Sequence, residues 1–168
     1  MYLHVLHVLF SKVCRTMYGW KIRIFKKQKE ENFMKTIIYT GAFIDVATLH
    51  KNIDFGSRLE TLIENPHVTF QFRPKTVPAP LFGEKVRVKV VGYGNDGLNE
   101  GLKVEVSTNN QMLSTMAEEI RVPHITISVS ADGKPVDTAK LAFQPIEPFF
   151  LEMTFGAFTP EGVILEQE

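Results

Sequence analysis

The chain has 168 residues, of which 44% are hydrophobic and 23% charged. That bounds it to one globular domain, or one domain with a tail, able to bury a sizeable core. A single cysteine, Cys14, rules out an internal disulfide framework and gives no hint of a cysteine-based metal site, so a reducing, cytoplasmic setting fits. The formal charge is zero but uneven: residues 1–33 carry seven Lys/Arg against Glu30 and Glu31, net +5, which leaves the remainder at net −5. An acidic domain argues against a wide nucleic-acid-binding surface. A ligand that needs positive charge only locally remains compatible.

Residues 1–33 read differently from the rest. Met1 to Val13 is apolar, with His4 and His7 at helical spacing. It is shorter than the roughly 20 residues that a membrane-spanning helix needs. The basic cluster follows the apolar run instead of preceding it, unlike a secretory signal. The stretch is an organelle-targeting or surface-binding segment, a helix packed on the domain, or a product of start-site choice. The last is preferred, because Met34-Lys35-Thr36 runs straight into the first strand. The chain therefore divides into a basic extension, 1–33, and a folded domain, 34–168.

Within the domain, Thr36–Ile44 reads as a strand, and Asp45 as the N-cap of a helix from Val46 to His50. Ser57 is placed to cap a second helix over Arg58–Glu64, stopped by Asn65-Pro66. His67–Arg73 is a strand. The proline-rich Pro74–Pro80 is an extended crossover, since it suits neither a helix nor a central strand. Glu84–Tyr93 alternates as a half-buried strand does. Gly92–Gly101 then reads as a long glycine-rich hairpin loop before a strand at Leu102–Ser107. Asn110–Glu119 is a short helix, Pro123–Ser130 a strand and Ala131–Lys134 a turn. Val136–Leu141 is ambiguous, and Pro148–Phe155 with Gly162–Glu166 forms a closing hairpin.

One pattern occurs twice. His67-Val68-Thr69-Phe70 follows Pro66, and His124-Ile125-Thr126-Ile127 follows Pro123. In a strand, residues i and i+2 share a face, so each copy presents one imidazole and one hydroxyl backed by apolar side chains. Two such strands side by side would bring two imidazoles and two hydroxyls together. Hydroxyls donate to phosphate oxygens and paired imidazoles serve as acid and base, which makes a phosphate site. His50 has Asn52 at i+2 and is not a third copy. Arg73 and Lys75 lie just beyond the first motif. Tyr93, in the glycine-rich loop, is a candidate for stacking on a base. No Asp, Glu or Cys at ligand spacing joins the histidines, so no metal site is expected.

Two His-hydrophobic-Thr-hydrophobic motifs, one in each half of a small domain, resemble the 2H phosphoesterase superfamily. The resemblance covers roughly Thr36 to Ile164. It implies an α+β, two-lobed fold of mostly antiparallel sheets around a central cleft, with few helices. It also implies metal-independent hydrolysis of 2′,3′-cyclic phosphates of nucleotides or RNA ends, without a cofactor. His67 and His124 would be the acid/base pair, and Thr69 and Thr126 the phosphate-binding hydroxyls. The partner is then the nucleotide or RNA end itself, handled by a cytoplasmic monomer with no membrane span. A non-catalytic nucleotide- or RNA-end-binding module of the same fold is the alternative. A third reading is a β-rich interaction domain in which the two histidines lie far apart.

Overall fold

A computed structural model describes residues 36–166 of the chain. The expectations for residues 1–33 lie outside the described residues. Among those described, the elements in order are β1 (Tyr39–Phe43), α1 (Val46–Asn52), β2 (Thr61–Leu62), β3 (His67–Phe72), β4 (Lys85–Asn95), β5 (Asn99–Ser107), α2 (Gln111–Glu118), β6 (His124–Val129), β7 (Gln144–Thr159) and β8 (Gly162–Ile164). Short 3-10 turns span Ala79–Leu81 and Pro135–Lys140. The expected α+β class with few helices and antiparallel strands is what the chain adopts.

One sheet holds all eight strands, in the order β2-β6-β5-β4-β7-β1-β3, with β8 on β7. Read outward from the β4–β7 pair, both sides follow one plan. Strand β5 is followed in the chain by α2 and then by motif strand β6, while β1 is followed by α1, the two-residue β2 and motif strand β3. Strands β3 and β6 also approach each other, although no ladder joins them. The sheet therefore curls until its two motif strands are neighbours.

Alternation explains the core. Val86, Val88 and Val90 of β4, Leu102 and Val104 of β5, and Leu151, Met153 and Phe155 of β7 are all buried in one cluster. Val68, Phe70, Ile125 and Ile127 of the motif strands join them. Each such side chain contributes about 1.5–3 kcal/mol on burial. The helices add Leu49 and Leu113. Asp45 caps α1 by accepting from the Thr48 N–H at 3.0 Å. Asn110 caps α2 by accepting from the N–H groups of Met112 and Leu113.

Two local expectations fail for long-range reasons. The segment Arg58–Glu64 is not a helix: Thr61–Leu62 pairs with β6, and the Ile63 N–H donates to Ile127 O. The Leu59 N–H donates to the Ser128 hydroxyl, and Arg58 reaches Glu100. Sheet partners outcompete a seven-residue helix, which is marginal by itself. The Gly92–Gly101 loop is also much shorter than its composition suggests. Strands β4 and β5 run into it, and only Asp96, Gly97 and Leu98 remain outside the ladder, with Gly97 at φ 84° in the turn. The ambiguous stretch before Leu141 is the 3-10 turn Pro135–Lys140.

Candidate functional site

Alternation in β3 leaves His67 and Thr69 half-buried on one face, with Val68 and Phe70 in the core on the other. In β6, His124 is half-buried, Ile125 and Ile127 lie in the core, and Thr126 is 8% exposed. Each imidazole is held in the same way. His67 Nδ1 is 2.7 Å from Asn65 O, and His124 Nδ1 is 2.7 Å from Val122 O. A carbonyl oxygen only accepts, so Nδ1 carries the proton in both rings and Nε2 is left to face outward chemistry. The carbonyl belongs in each case to the residue before the proline that precedes each motif, Pro66 or Pro123, whose locked φ limits how carbonyl and ring are arranged. The proline carbonyls also match: Ile44 N–H donates to Pro66 O at 3.1 Å, and Val104 N–H to Pro123 O at 3.0 Å.

The correspondence extends to the neighbouring strands. Thr69 lies opposite Gly41 on β1, which lies opposite Gly156 on β7. Thr126 lies opposite Gly101 on β5, which lies opposite Gly94 on β4. The glycines allow other segments to lie flat on the sheet. A Cβ on Gly156 would stand 2.3 Å from Ile164 O, and one on Gly101 would stand 2.4 Å from Thr138 Cγ2. In both motif strands the ladder skips the fourth motif residue. The pairing passes from Gly41↔Thr69 to Thr40↔Gln71, and from Gly101↔Thr126 to Glu100↔Ser128. Phe70 and Ile127 are thus bulge residues.

The two halves differ in what surrounds the histidines. His67 sits among aromatic rings: Tyr39 stacks on it at 4.5 Å between centroids, and Phe43, opposite it on β1, is 5.4 Å away. Phe158 stacks on the far side of Tyr39 at 5.0 Å. Burial holds the His67 imidazole below its ordinary pKa, the positive charge of His124 pushes the same way, and the bond to Asn65 O opposes them. The two rings sit on strands β3 and β6, which approach each other. Burial pushes the Tyr39 phenol up to about 12, so it is a neutral neighbour. Beside His124, by contrast, the residue directly opposite is Lys103, exposed and in no ion pair among the described residues.

The hydroxyls differ as well. Thr69 makes no side-chain hydrogen bond within the described residues. The Thr126 hydroxyl is 3.1 Å from Thr138 Oγ1 and 3.3 Å from Pro135 O. Its one proton serves one acceptor at a time. When it turns to a ligand oxygen, Thr138 can donate to Thr126 in return.

Tyr93 is not with these groups. Its hydroxyl donates to Glu100 Oε1 at 3.0 Å, and its ring packs edge-on against Phe55 at 5.3 Å. Glu100 is fully buried, pairs with Arg58 and accepts from Ser128. It lies two residues from core Leu102, so this network belongs to the core side of the sheet. The proximity of Tyr39, Phe43 and Lys103 to the histidines has no local signal in the sequence, because it follows from strand register. Arg73 and Lys75 both lie beyond the end of β3, in the exposed surface after Phe72.

Among the described residues no group of three or more His, Cys, Asp or Glu is gathered as a metal site would need. No helix among them is long and apolar enough to cross a membrane. The chain matches no protein-family model, and no curated protein matches its sequence.

Proposed function

We propose that the face carrying both motifs is the active site of a metal-independent phosphoesterase. It opens 2′,3′-cyclic phosphates of nucleotides or RNA ends by two-histidine acid–base catalysis, in the two-lobed, central-cleft arrangement of the 2H phosphoesterases. The observation that supports this most is the matched anchoring of His67 and His124, each with Nδ1–H on the carbonyl two residues before it. Both rings then offer Nε2 for proton transfer.

The depressed basicity of His67 suits the base. Its neutral Nε2 takes a proton from water as the water oxygen bonds to phosphorus. His124, protonated on Nε2 while Nδ1–H stays on Val122 O, gives that proton to the departing ribose oxygen as the P–O bond breaks. The product is a phosphomonoester. Solvent exchange then removes the proton from His67 and returns one to His124. Thr69 and Thr126 donate to the non-bridging oxygens, and Lys103 offsets their charge. Acid–base help of this kind is worth about 10²–10⁴-fold per group.

The test is to offer the purified full chain 2′,3′-cyclic nucleotides and cyclic-phosphate-ended RNA in the presence of a chelator, beside His67→Ala and His124→Ala. Turnover that survives chelation and drops by about 10²-fold or more in each variant is expected. Turnover unaffected by either substitution would remove the proposal. Absence of turnover, with nucleotide still raising the thermal midpoint, would replace the enzyme with a binding module.

A further inference from the structure

The end of β3 carries a feature that the catalytic reading does not use. In a regular strand Phe72, five residues after His67, would point to the opposite face. Strand β3 is not regular, because Phe70 is an extra residue in the ladder with β1. A bulge re-aims the side chains beyond it. Phe72 therefore lies opposite Tyr39, and Tyr39 lies opposite Phe158. This row of three aromatic side chains adjoins His67, on which Tyr39 stacks at 4.5 Å.

Phe72 is 66% exposed, unusual for a phenylalanine. The Arg73 guanidinium lies over its ring at 5.3 Å. Arg73 is also the one non-glycine residue with a positive φ (47°) among the described residues, and its N–H is fixed on Ile38 O at 2.8 Å. An open groove of about 410 Å³ follows, lined by Gln71, Phe72, Pro74, Lys75 and Thr76. Lys75 is exposed and forms no ion pair among the described residues. An exposed ring flanked by two cations, leading away from a phosphate site, suits single-stranded nucleic acid: a base stacks on the ring and the cations meet the backbone. In a domain of net −5 outside residues 1–33, these charges act locally.

We propose that this groove is a second subsite, which holds the nucleotide preceding the terminal cyclic phosphate of an RNA strand. The inference rests on the phosphoesterase reading and narrows it: oligonucleotide ends, not mononucleotides, are the preferred substrate. Because Phe70 is the extra residue, Phe72 lies two ladder positions beyond Thr69, about 7 Å at a strand rise of about 3.4 Å per residue, where the ligand's next residue falls.

The test compares kcat/KM for a 2′,3′-cyclic mononucleotide with cyclic-phosphate-ended oligonucleotides of increasing length, in the full chain and in Phe72→Ala and Lys75→Ala. Binding of a fluorescent oligonucleotide with a 3′-phosphate end, which the reaction cannot consume, is measured in parallel. Lengthening by one or two nucleotides should raise kcat/KM about tenfold or more, since stacking on one aromatic ring is worth that much. Both substitutions should remove the gain and leave the mononucleotide rate unchanged. A rate independent of length, or a gain that survives both substitutions, overturns the subsite and leaves the catalytic reading intact. If nothing is turned over, the catalytic reading fails by itself. Binding then decides: binding weakened by Phe72→Ala sustains the subsite, and binding absent or indifferent to that change ends it.

Discussion

Lys103 stands directly opposite His124 in the β5–β6 ladder, the place that Phe43 takes opposite His67 in the β1–β3 ladder. Directly opposite side chains on one face lie about 4.5–5.5 Å apart at Cβ. The lysine is thus the cation nearest in register to a site otherwise built of imidazoles and hydroxyls. Lys103→Met keeps the stem and removes the charge. It should lower kcat/KM for a cyclic phosphodiester about tenfold, as loss of a charged hydrogen bond does, and leave the thermal midpoint unchanged. Steady-state kinetics at two salt concentrations check this. An unchanged kcat/KM would show that the ammonium does not reach the phosphate.

The depressed basicity of His67 has a sign that can be tested in two ways. If neutral His67 is the base, the acid limb of kcat/KM lies below the ordinary imidazole value of about 6.5. Stability responds too. Unfolded His67 titrates near 6.5 and folded His67 lower, so between these values the unfolded chain binds more protons. Folding stability therefore falls as pH drops through that window, and His67 has no such effect above it. His67→Gln removes this contribution, so the variant should lose less stability than the parent on acidification. Thermal melts from pH 8 down to 4.5 check it, and parallel curves for the two proteins would contradict it.

The motif strands are legible in sequence because alternation is local: His67 and Thr69 face one way and Val68 and Phe70 the other, whatever strand lies alongside. The caps Asp45 and Asn110 are local for the same reason. What escapes is set by partners distant in the chain. Nothing within His67–Phe72 reveals that Phe70 is an extra residue, so simple alternation puts Phe72 with the core. The apparent helix at Arg58–Glu64 has a good local start but loses to bonds from residues 100, 127 and 128. Gly94 and Gly101 look like loop residues, yet they sit in strands because Leu141 and Thr138 lie against them. Tyr93 reads as a loop aromatic only as long as that hairpin is taken to be long.

The buried carboxylate of Glu100 makes a prediction about stability alone. Arg58 pairs with it, and Tyr93 and Ser128 donate to it. Arg58→Ala leaves Glu100 without its counter-charge in a site with no exposure, a change that costs about 3–5 kcal/mol. The loss should appear in denaturant unfolding. Turnover per folded molecule should stay close to the parent's, because this network lies on the core side. A variant as stable as the parent would mean that water reaches Glu100 in the folded state.

The two motif threonines should respond differently to one substitution. Thr69→Val removes a hydroxyl that has no partner among the described residues, so it should reduce activity and leave stability nearly unchanged. Thr126→Val removes the group that joins Thr138 Oγ1 and Pro135 O, at 3.1 and 3.3 Å. Thr138 is fully buried, so its hydroxyl would be stranded. An unmade buried hydrogen bond costs about 1–3 kcal/mol. Both variants should lose about tenfold or more in kcat/KM if each threonine donates to the phosphoryl group as proposed. Only Thr126→Val should also lower the unfolding midpoint. Thr138→Val separates the roles further: it keeps Thr126 in place and removes the hydroxyl that donates back when Thr126 turns to a ligand. A smaller kinetic loss than in Thr126→Val is expected. If Thr138→Val matched the parent while Thr126→Val was inactive, the Thr126 hydroxyl would act on phosphate without help from the 3-10 turn that covers it.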